Sequence, residues 1–387
     1  MSKKIFIIAG EASGDNLGAK LLKEFNQLSQ DQFIFSGVGG QKMIEQNFQS
    51  IFPMEDLSVM GFFEIVPHLK TLLSRISQTA DAIIKFQPDY IITIDSPDFC
   101  FRVIKKIIKK GKNPHAKKIH LIAPSVWAYR ENRAQKIAKL YDLLLAILPF
   151  EPPYFEKHGL KTVFIGYPLF ADEPDMSKKD INNANFREAY KIPSSDKLIL
   201  VTPGSRNGEV KKIFPEFIAT INQIKKSHPN IKVVIPIVKK TQNLVKEMAA
   251  KIETEYFFIE SAQKNLAYFA CDFALAKSGT NAIEISMYQI PLIIAYKINI
   301  LTHFIVKRMV KIKYANLLNL IMNKEIIPEF LQDNCHHQKI SNKLLEFINN
   351  PEIINQQIIA AQQAMKIMGM NNSHNPMQKA VTAILQS

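Results

Sequence analysis

Several apolar runs in this sequence stop at a carboxylate, a guanidinium group or a glycine turn, and that placement is what makes chemistry possible. The run "YIITI" ends at Ile94 and releases Asp95 and Asp98, with Pro97 fixing the turn between them. A carboxylate at the carboxyl end of a parallel strand faces the crevice where such sheets bind ligands, and it is placed to take a proton as a general base. Asp98 is equally suited to capping the helix that follows. The D-x-x-D spacing also differs from the D-x-D on which many sugar-nucleotide enzymes hold a divalent metal, so no metal site is read here.

Two further turns suit a nucleotide. In "LILVTPGSRNGEV" (198–210) an apolar run gives way to Gly204, Ser205 and Arg206 before a helical stretch. Glycine permits close backbone approach, the helix N-terminus attracts anions, and Arg206 can form paired bonds to a diphosphate. In "DFALAKSGTNAIEISM" (272–287), Ser278, Gly279 and Thr280 offer hydroxyl and N–H groups to a phosphate, while Glu284 can accept from ribose hydroxyls. Two such turns in one domain specify a nucleotide more strongly than either alone.

The opening stretch "KIFIIAGEASGDNLGAKLL" (4–22) has glycines at 10, 14 and 18 but is not G-x-G-x-x-G. Glu11 and Asp15 stand where a pyrophosphate needs positive potential, so these two carboxylates are read as better matched to a hydroxyl-rich sugar. "APSVWAYRENR" (123–133) sets Trp127, the sole tryptophan, beside Tyr129, Arg130 and Arg133. Aromatic faces stack on sugars and guanidinium groups pair with phosphate; a core tryptophan with surface arginines is the plainer alternative.

The elements that must position these residues alternate. Short β-branched runs at 4–9, 32–38, 90–94, 118–122, 143–147 and 162–165 are separated by helical stretches, a βαβ rhythm that implies a parallel sheet. A polar, proline-bearing stretch follows, and a second series runs at 198–202, 232–236, 256–259, 273–276 and 292–296. The expected organisation is an α/β protein with a Rossmann-like domain at 1–170, a linker at 171–195 and a second Rossmann-like domain at 196–387. The last helix is left free to pack back on the first domain. Ligands belong in a cleft at the carboxyl ends of both sheets.

Composition limits the partners. The 387 residues exceed what one core usually organises, and 47% hydrophobic content is globular. A net charge of +14 favours anionic partners, whether nucleic acid, anionic lipid or phosphorylated substrate. The lysines are spread through the chain, and their one local cluster, 105–118, reads as a solvated helix face; nucleic acid is therefore not expected. Glu11 interrupts the N-terminal apolar run too early for a secretory signal, and no run is long enough to span a bilayer. Cys100, Cys271 and Cys335 are far apart, as buried thiols of a reducing compartment would be.

The motifs "AGEASGD", "VMGFFEIVP", "IDSPDF", "PSVWAYR", "LPFEPPYF", "PGSRNGEV", "KSGTNAIE" and "KYANLLNL" together resemble the lipid-A-disaccharide synthase family, in the family's order. The resemblance implies a GT-B glycosyltransferase fold and transfer of diacylglucosamine from its UDP derivative to diacylglucosamine 1-phosphate. The implied step inverts the anomeric centre, forms a β-1′,6 linkage and needs neither metal nor cofactor. It implies Asp95 as general base, Arg206 as a donor-binding arginine, Glu284 on ribose, Asn319 as a functional asparagine on the UDP-sugar side, and functional positions on the acceptor side at Glu11 and Ser13. Tyr129, Tyr167 and Leu318 stand where the family usually has tryptophan, histidine and proline.

Acyl chains need a surface. "NILTHFIVKRMVKIK" (299–313) puts apolar residues on one helical face and lysines on another, and "SVMGFFEIVPHLKTLL" (58–73) is unusually apolar. Each suits a core helix or a membrane interface. With the net charge, they give an expectation of peripheral association with the cytoplasmic face of the inner membrane, with a homo-oligomer left open. The alternatives are another UDP-sugar enzyme of the same fold, either a peptidoglycan glucosaminyltransferase or a UDP-GlcNAc epimerase, and, outside transferases, an NAD-type oxidoreductase or a basic nucleic-acid-binding protein. The oxidoreductase lacks a clean glycine fingerprint.

Overall fold

The computed structural model describes residues 2–28, 33–57, 62–113, 115–298, 313–371 and 375–387, with the backbone alone at 62–69 and 261. It divides into two compact units, one of residues 1–171 with 368–387, the other of residues 172–367.

Unit 1 alternates strands and helices: β1 (Lys3–Ala9), α1 (Ala12–Leu28), β2 (Phe33–Val38), α2 (Gln41–Ile44), α3 (Phe62–Phe86), β3 (Tyr90–Ile94), α4 (Pro97–Lys109), β4 (Lys117–Leu121), α5 (Arg133–Ala138), β5 (Leu143–Ala146), α6 (Pro152–Glu156) and β6 (Lys161–Phe164). Its strands form a six-stranded parallel sheet in the order β2-β1-β3-β4-β5-β6. Alternation along β1 builds both faces: Ile5, Ile7 and Ala9 meet the α1 side, and Phe6 and Ile8 meet the α3 and α4 side. The strands read as continuous apolar runs because both faces are covered.

Unit 2 follows with α7 (Lys179–Ala189), β7 (Lys197–Thr202), α8 (Asn207–Lys225), β8 (Ile231–Pro236), α9 (Gln242–Ala249), β9 (Tyr256–Ile259), α10 (Lys264–Ala270), β10 (Phe273–Lys277), α11 (Thr280–Met287), β11 (Leu292–Tyr296), α12 (Leu317–Met322), β12 (Glu329–Leu331), α13 (His337–Asn349) and α14 (Pro351–Ile367). Its parallel sheet has the order β12-β11-β10-β7-β8-β9. The final helix, α15 (Pro376–Leu385), packs in unit 1 beside α1 through Met377, Ala380 and Ile384.

The stretch expected to be a linker, 171–195, holds α7, which buries Phe186 and sends Arg187 to the Pro193 and Asp196 carbonyls and, at 3.4 Å, to Asp272. A helix that buries one apolar residue shows little periodicity, and so its sequence reads as loop.

Each sheet reverses strand order once. In unit 1 the reversal lies between β1 and β3, and in unit 2 between β7 and β10. Such switch points open a crevice at the strands' carboxyl ends. The turns after β1, β3, β7 and β10 carry most of the residues singled out from the sequence.

Candidate functional site

At the unit 2 switch point a cavity of about 360 Å³ is lined by Thr202, Gly204, Ser205, Ile237, Ile259, Lys264, Tyr268, Lys277, Gly279, Thr280 and Asn281. Asn281 joins the two turns: its amide donates to Thr202 Oγ1 at 2.8 Å, and its carbonyl accepts from Tyr268 Oη at 3.1 Å. Gly204 has φ +127°, and a Cβ there would lie 2.8 Å from Glu209 Oε2, so this turn requires glycine. Gly279 has φ +155°, and no side chain caps α11, which leaves its first N–H groups open at the cavity.

The charges converge on the same turn. Glu209 Oε2 accepts from the Ser205 N–H at 3.3 Å, while its Oε1 lies 3.2 Å from Lys277 Nζ and 3.9 Å from Arg206 Nη1. An N–H near a helix start and neighbouring cations are groups a diphosphate can bind, and here a carboxylate of the chain, Glu209, engages them. Also at the cavity, Lys264 Nζ donates to both oxygens of Glu284 at 2.6 Å. Lys264 faces the cavity, and Glu284 holds it in place.

Two more residues expected on the donor side, Ser278 and Asn319, are engaged within the chain. Ser278 is buried, and its hydroxyl donates to the Ala315 carbonyl at 3.1 Å, tying the β10 turn to the chain before α12. Asn319 is fully buried, and its whole amide is engaged: Nδ2 donates to the Ile327 carbonyl and Glu329, and Oδ1 accepts from the Ile326 and Ile327 N–H groups. Glu329 also accepts from the Ala315 and Asn316 N–H groups. Asn319 therefore shapes the loop that leads to β12 and has no hydrogen-bonding capacity left for a ligand. Leu318 beside it is fully buried, in keeping with an apolar role.

In unit 1, the chain leaves β3 through two successive left-handed residues, Asp95 (φ +50°) and Ser96 (φ +43°). Non-glycine residues seldom adopt this conformation, and such strain concentrates at functional sites. The Asp95 N–H is held by the Leu121 carbonyl at 3.0 Å, so β4 pins the turn. Burial lifts the Asp95 carboxyl above its ordinary range, and the Ser96 N–H opposes that. Ser96 Oγ is buried without a partner, and a Cβ at Gly10 would fall 2.6 Å from it. Gly10 thus lets the turns after β1 and β3 touch.

Asp98 does not cap α4; its side chain is 95% exposed and lies 3.9 Å from Arg133. With Tyr129, Arg130, Asn132 and Lys136 they line an open depression of about 580 Å³ rich in cations. Arg130 is exposed with φ +56°, and its guanidinium lies 6.0 Å over the Tyr129 ring. Trp127 is half-buried, with its Nε1 donating to Glu151 at 3.1 Å. Glu151 is 1% exposed, also accepts from the Ile147 and Leu148 N–H groups, and burial pushes its carboxyl up to about 7.

In the opening loop Ser13 is exposed and Glu11 half-buried, but Asp15 faces away. Its carboxylate accepts from the Gly40, Lys42 and Met43 N–H groups and caps α2. Asp15 therefore neither repels a pyrophosphate nor faces a sugar, contrary to expectation, and Glu11 alone of the two carboxylates remains at the turn. Gly18 is bare because Met43 packs against it, 2.4 Å from where a Cβ would stand.

Sequence reasoning did not single out Lys264, Lys277, Asn281, Glu209 or Glu151 as site residues. Lys277 had a legible signal, a cation ending a strand directly before "SGT"; Lys264 had none, since only folding brings α10 to the cavity.

These two doubly wound units, each with its candidate groups at a strand-order reversal, define the GT-B class that glycosyltransferases share with UDP-sugar epimerases. Solved structures of the same fold include UDP-GlcNAc 2-epimerase from Neisseria meningitidis (TM-score 0.64, 13% identity, covering 99% of this chain and 98% of that one). MurG from Acinetobacter baumannii matches with TM-score 0.59 at 11% identity over 100% of both chains. The sequence decides the family. Residues 5–384 match the lipid-A-disaccharide synthetase family, and the chain belongs to it. Lipid-A-disaccharide synthase of Rickettsia akari is 41% identical over 385 residues, 99% of this chain and 96% of that protein. The Rickettsia bellii enzyme of that name is 40% identical over 387 residues, 99% of each chain.

Proposed function

We propose that this chain transfers 2,3-diacylglucosamine from UDP-2,3-diacylglucosamine to 2,3-diacylglucosamine 1-phosphate, releasing UDP and forming a β-1′,6-linked disaccharide. Family membership over nearly the whole chain is the observation that carries the reading.

The roles of the residues follow from what each can do. The acceptor's primary hydroxyl loses a proton as its oxygen attacks the anomeric carbon, and Asp95, at the end of β3, takes that proton. The departing diphosphate gains negative charge, which Arg206, Lys277, the Ser205 N–H and the open start of α11 stabilise. Gly204, Ser205, Gly279 and Thr280 surround the diphosphate, and Glu284 with Lys264 bonds the nucleoside. On the acceptor side Glu11, Ser13 and Trp127 meet the sugar, and the cations around Arg130 meet its 1-phosphate. Cationic groups of the chain neutralise the leaving group, so the reading needs no metal.

The chain acts at the cytoplasmic face of the inner membrane as a peripheral protein, because both substrates are acylated and the net charge is +14. Among the described residues no helix is long and apolar enough to cross a membrane. Of the two apolar segments, 299–312 lies outside the described residues, as do 58–61; the α3 backbone begins at Phe62.

Incubation with UDP-GlcNAc alone, followed by proton NMR, separates this reading from an epimerase of the same fold. The sugar should persist unchanged; steady appearance of the 2-epimer would overturn the proposal.

A further inference from the structure

Outside the cavity, Glu216, His336 and His337 of unit 2 converge, with one ligand atom from each within 4.8 Å of the others. Glu216 lies on α8 about 14 Å along the axis from Asn207, at 1.5 Å per residue, so the cluster is remote from the phosphate turn on the same helix. The two histidines open α13.

The carboxylate is already oriented. Glu216 Oε2 accepts the His337 backbone N–H at 2.8 Å and lies 3.5 Å from His337 Nδ1. The two imidazoles lie 4.3 Å apart, ring centre to ring centre. His336 Nδ1 accepts the Gln338 N–H at 3.3 Å, a long bond, so this imidazole also caps the helix. Two neutral imidazoles and one carboxylate form a donor set suited to zinc, with water completing the tetrahedron.

We propose that Glu216, His336 and His337 form a binding site for a divalent transition metal of the zinc type, which clamps α8 to the start of α13. The inference does not rest on the transferase reading. Two neighbours shape it. Lys297 Nζ lies 3.6 Å from Glu216 Oε1, a built-in cation that an incoming metal must displace. Cys335, next in sequence to His336, is 1% exposed and is not among the three residues whose ligand atoms converge.

The test is titration of the chelator-stripped chain with Zn²⁺ against a colorimetric zinc indicator. The wild-type chain should bind one equivalent. His336→Asn, which keeps a good helix cap, and His337→Ala should each weaken binding at least ~10-fold. Lys297→Met should bind more tightly, and Cys335→Ala should match wild type. Equal affinity in wild type and folded His336→Asn, or a loss confined to Cys335→Ala, would overturn the proposal. Circular dichroism of each variant separates a lost ligand from a lost fold.

Discussion

Lys277 Nζ stands 3.2 Å from Glu209 Oε1, so the cation at the end of β10 is neutralised by a carboxylate from the first turn of α8. A bound diphosphate would have to share that lysine, and Arg206 beside it, with a fixed negative charge. At an effective dielectric of about 20, like charges ~5 Å apart repel by about 3 kcal/mol, less what solvent screens. Glu209→Gln should therefore tighten UDP binding about tenfold by calorimetry. Weaker binding would show instead that the carboxylate chiefly organises the Ser205 turn.

Arg206 carries the opposite expectation. Arg206→Ala should lower kcat/KM by about 3 kcal/mol, roughly a hundredfold, with most of the loss in kcat because leaving-group charge peaks in the transition state. A change in KM alone would place the guanidinium in ground-state binding only.

Asp95 predicts a pH profile. A base must be ionised to act, and the folded carboxyl titrates above its ordinary 3.8, so activity should fall on acidification with a midpoint above that value. Asp95→Asn should remove this acid limb and cost ~10²- to 10⁴-fold in kcat. An unaltered acid limb in the variant would assign it to another group.

Asn319 tests a structural role against a ligand role. Asn319→Ala strands the Ile326 and Ile327 N–H groups and should cost about 3 kcal/mol of unfolding free energy in denaturant titration. UDP affinity of the folded fraction should be unchanged. A selective loss of affinity without loss of stability would restore the donor-binding role that the family resemblance implies.

Glu151 and Trp127 supply an optical readout. The Glu151 carboxyl titrates at about 7 in the folded chain against 4.5 ordinarily. The folded state thus holds a proton between those values that the unfolded chain has released, and the stability it contributes at low pH is lost as pH rises through that window. Because Trp127 is the sole tryptophan and donates to this carboxylate, its fluorescence should titrate near 7 in wild type and not in Glu151→Gln.

The parts of this molecule that were legible share a physical cause. Strands buried on both faces appear as apolar runs; β1 to β11 all lie within a residue of the sequence expectation, whereas β12, three half-buried residues, has no such signature. Strand-end turns were legible because the βαβ rhythm places them. Hydrogen-bond partners were not: Asp15, Ser278 and Asn319 have site-like types and positions, yet each bonds to backbone brought close only by folding. Lys264 reached the site in the same unreadable way, through the packing of α10 beside α11's Glu284.

The central claim is tested most directly by giving the purified chain UDP-2,3-diacylglucosamine and 2,3-diacylglucosamine 1-phosphate, with and without EDTA, and analysing the lipid products by mass spectrometry and NMR. The account predicts equimolar UDP and a β-1′,6-linked tetraacyl disaccharide 1-phosphate, at equal rates in both samples. Folded chain that releases no UDP and forms no disaccharide would contradict it.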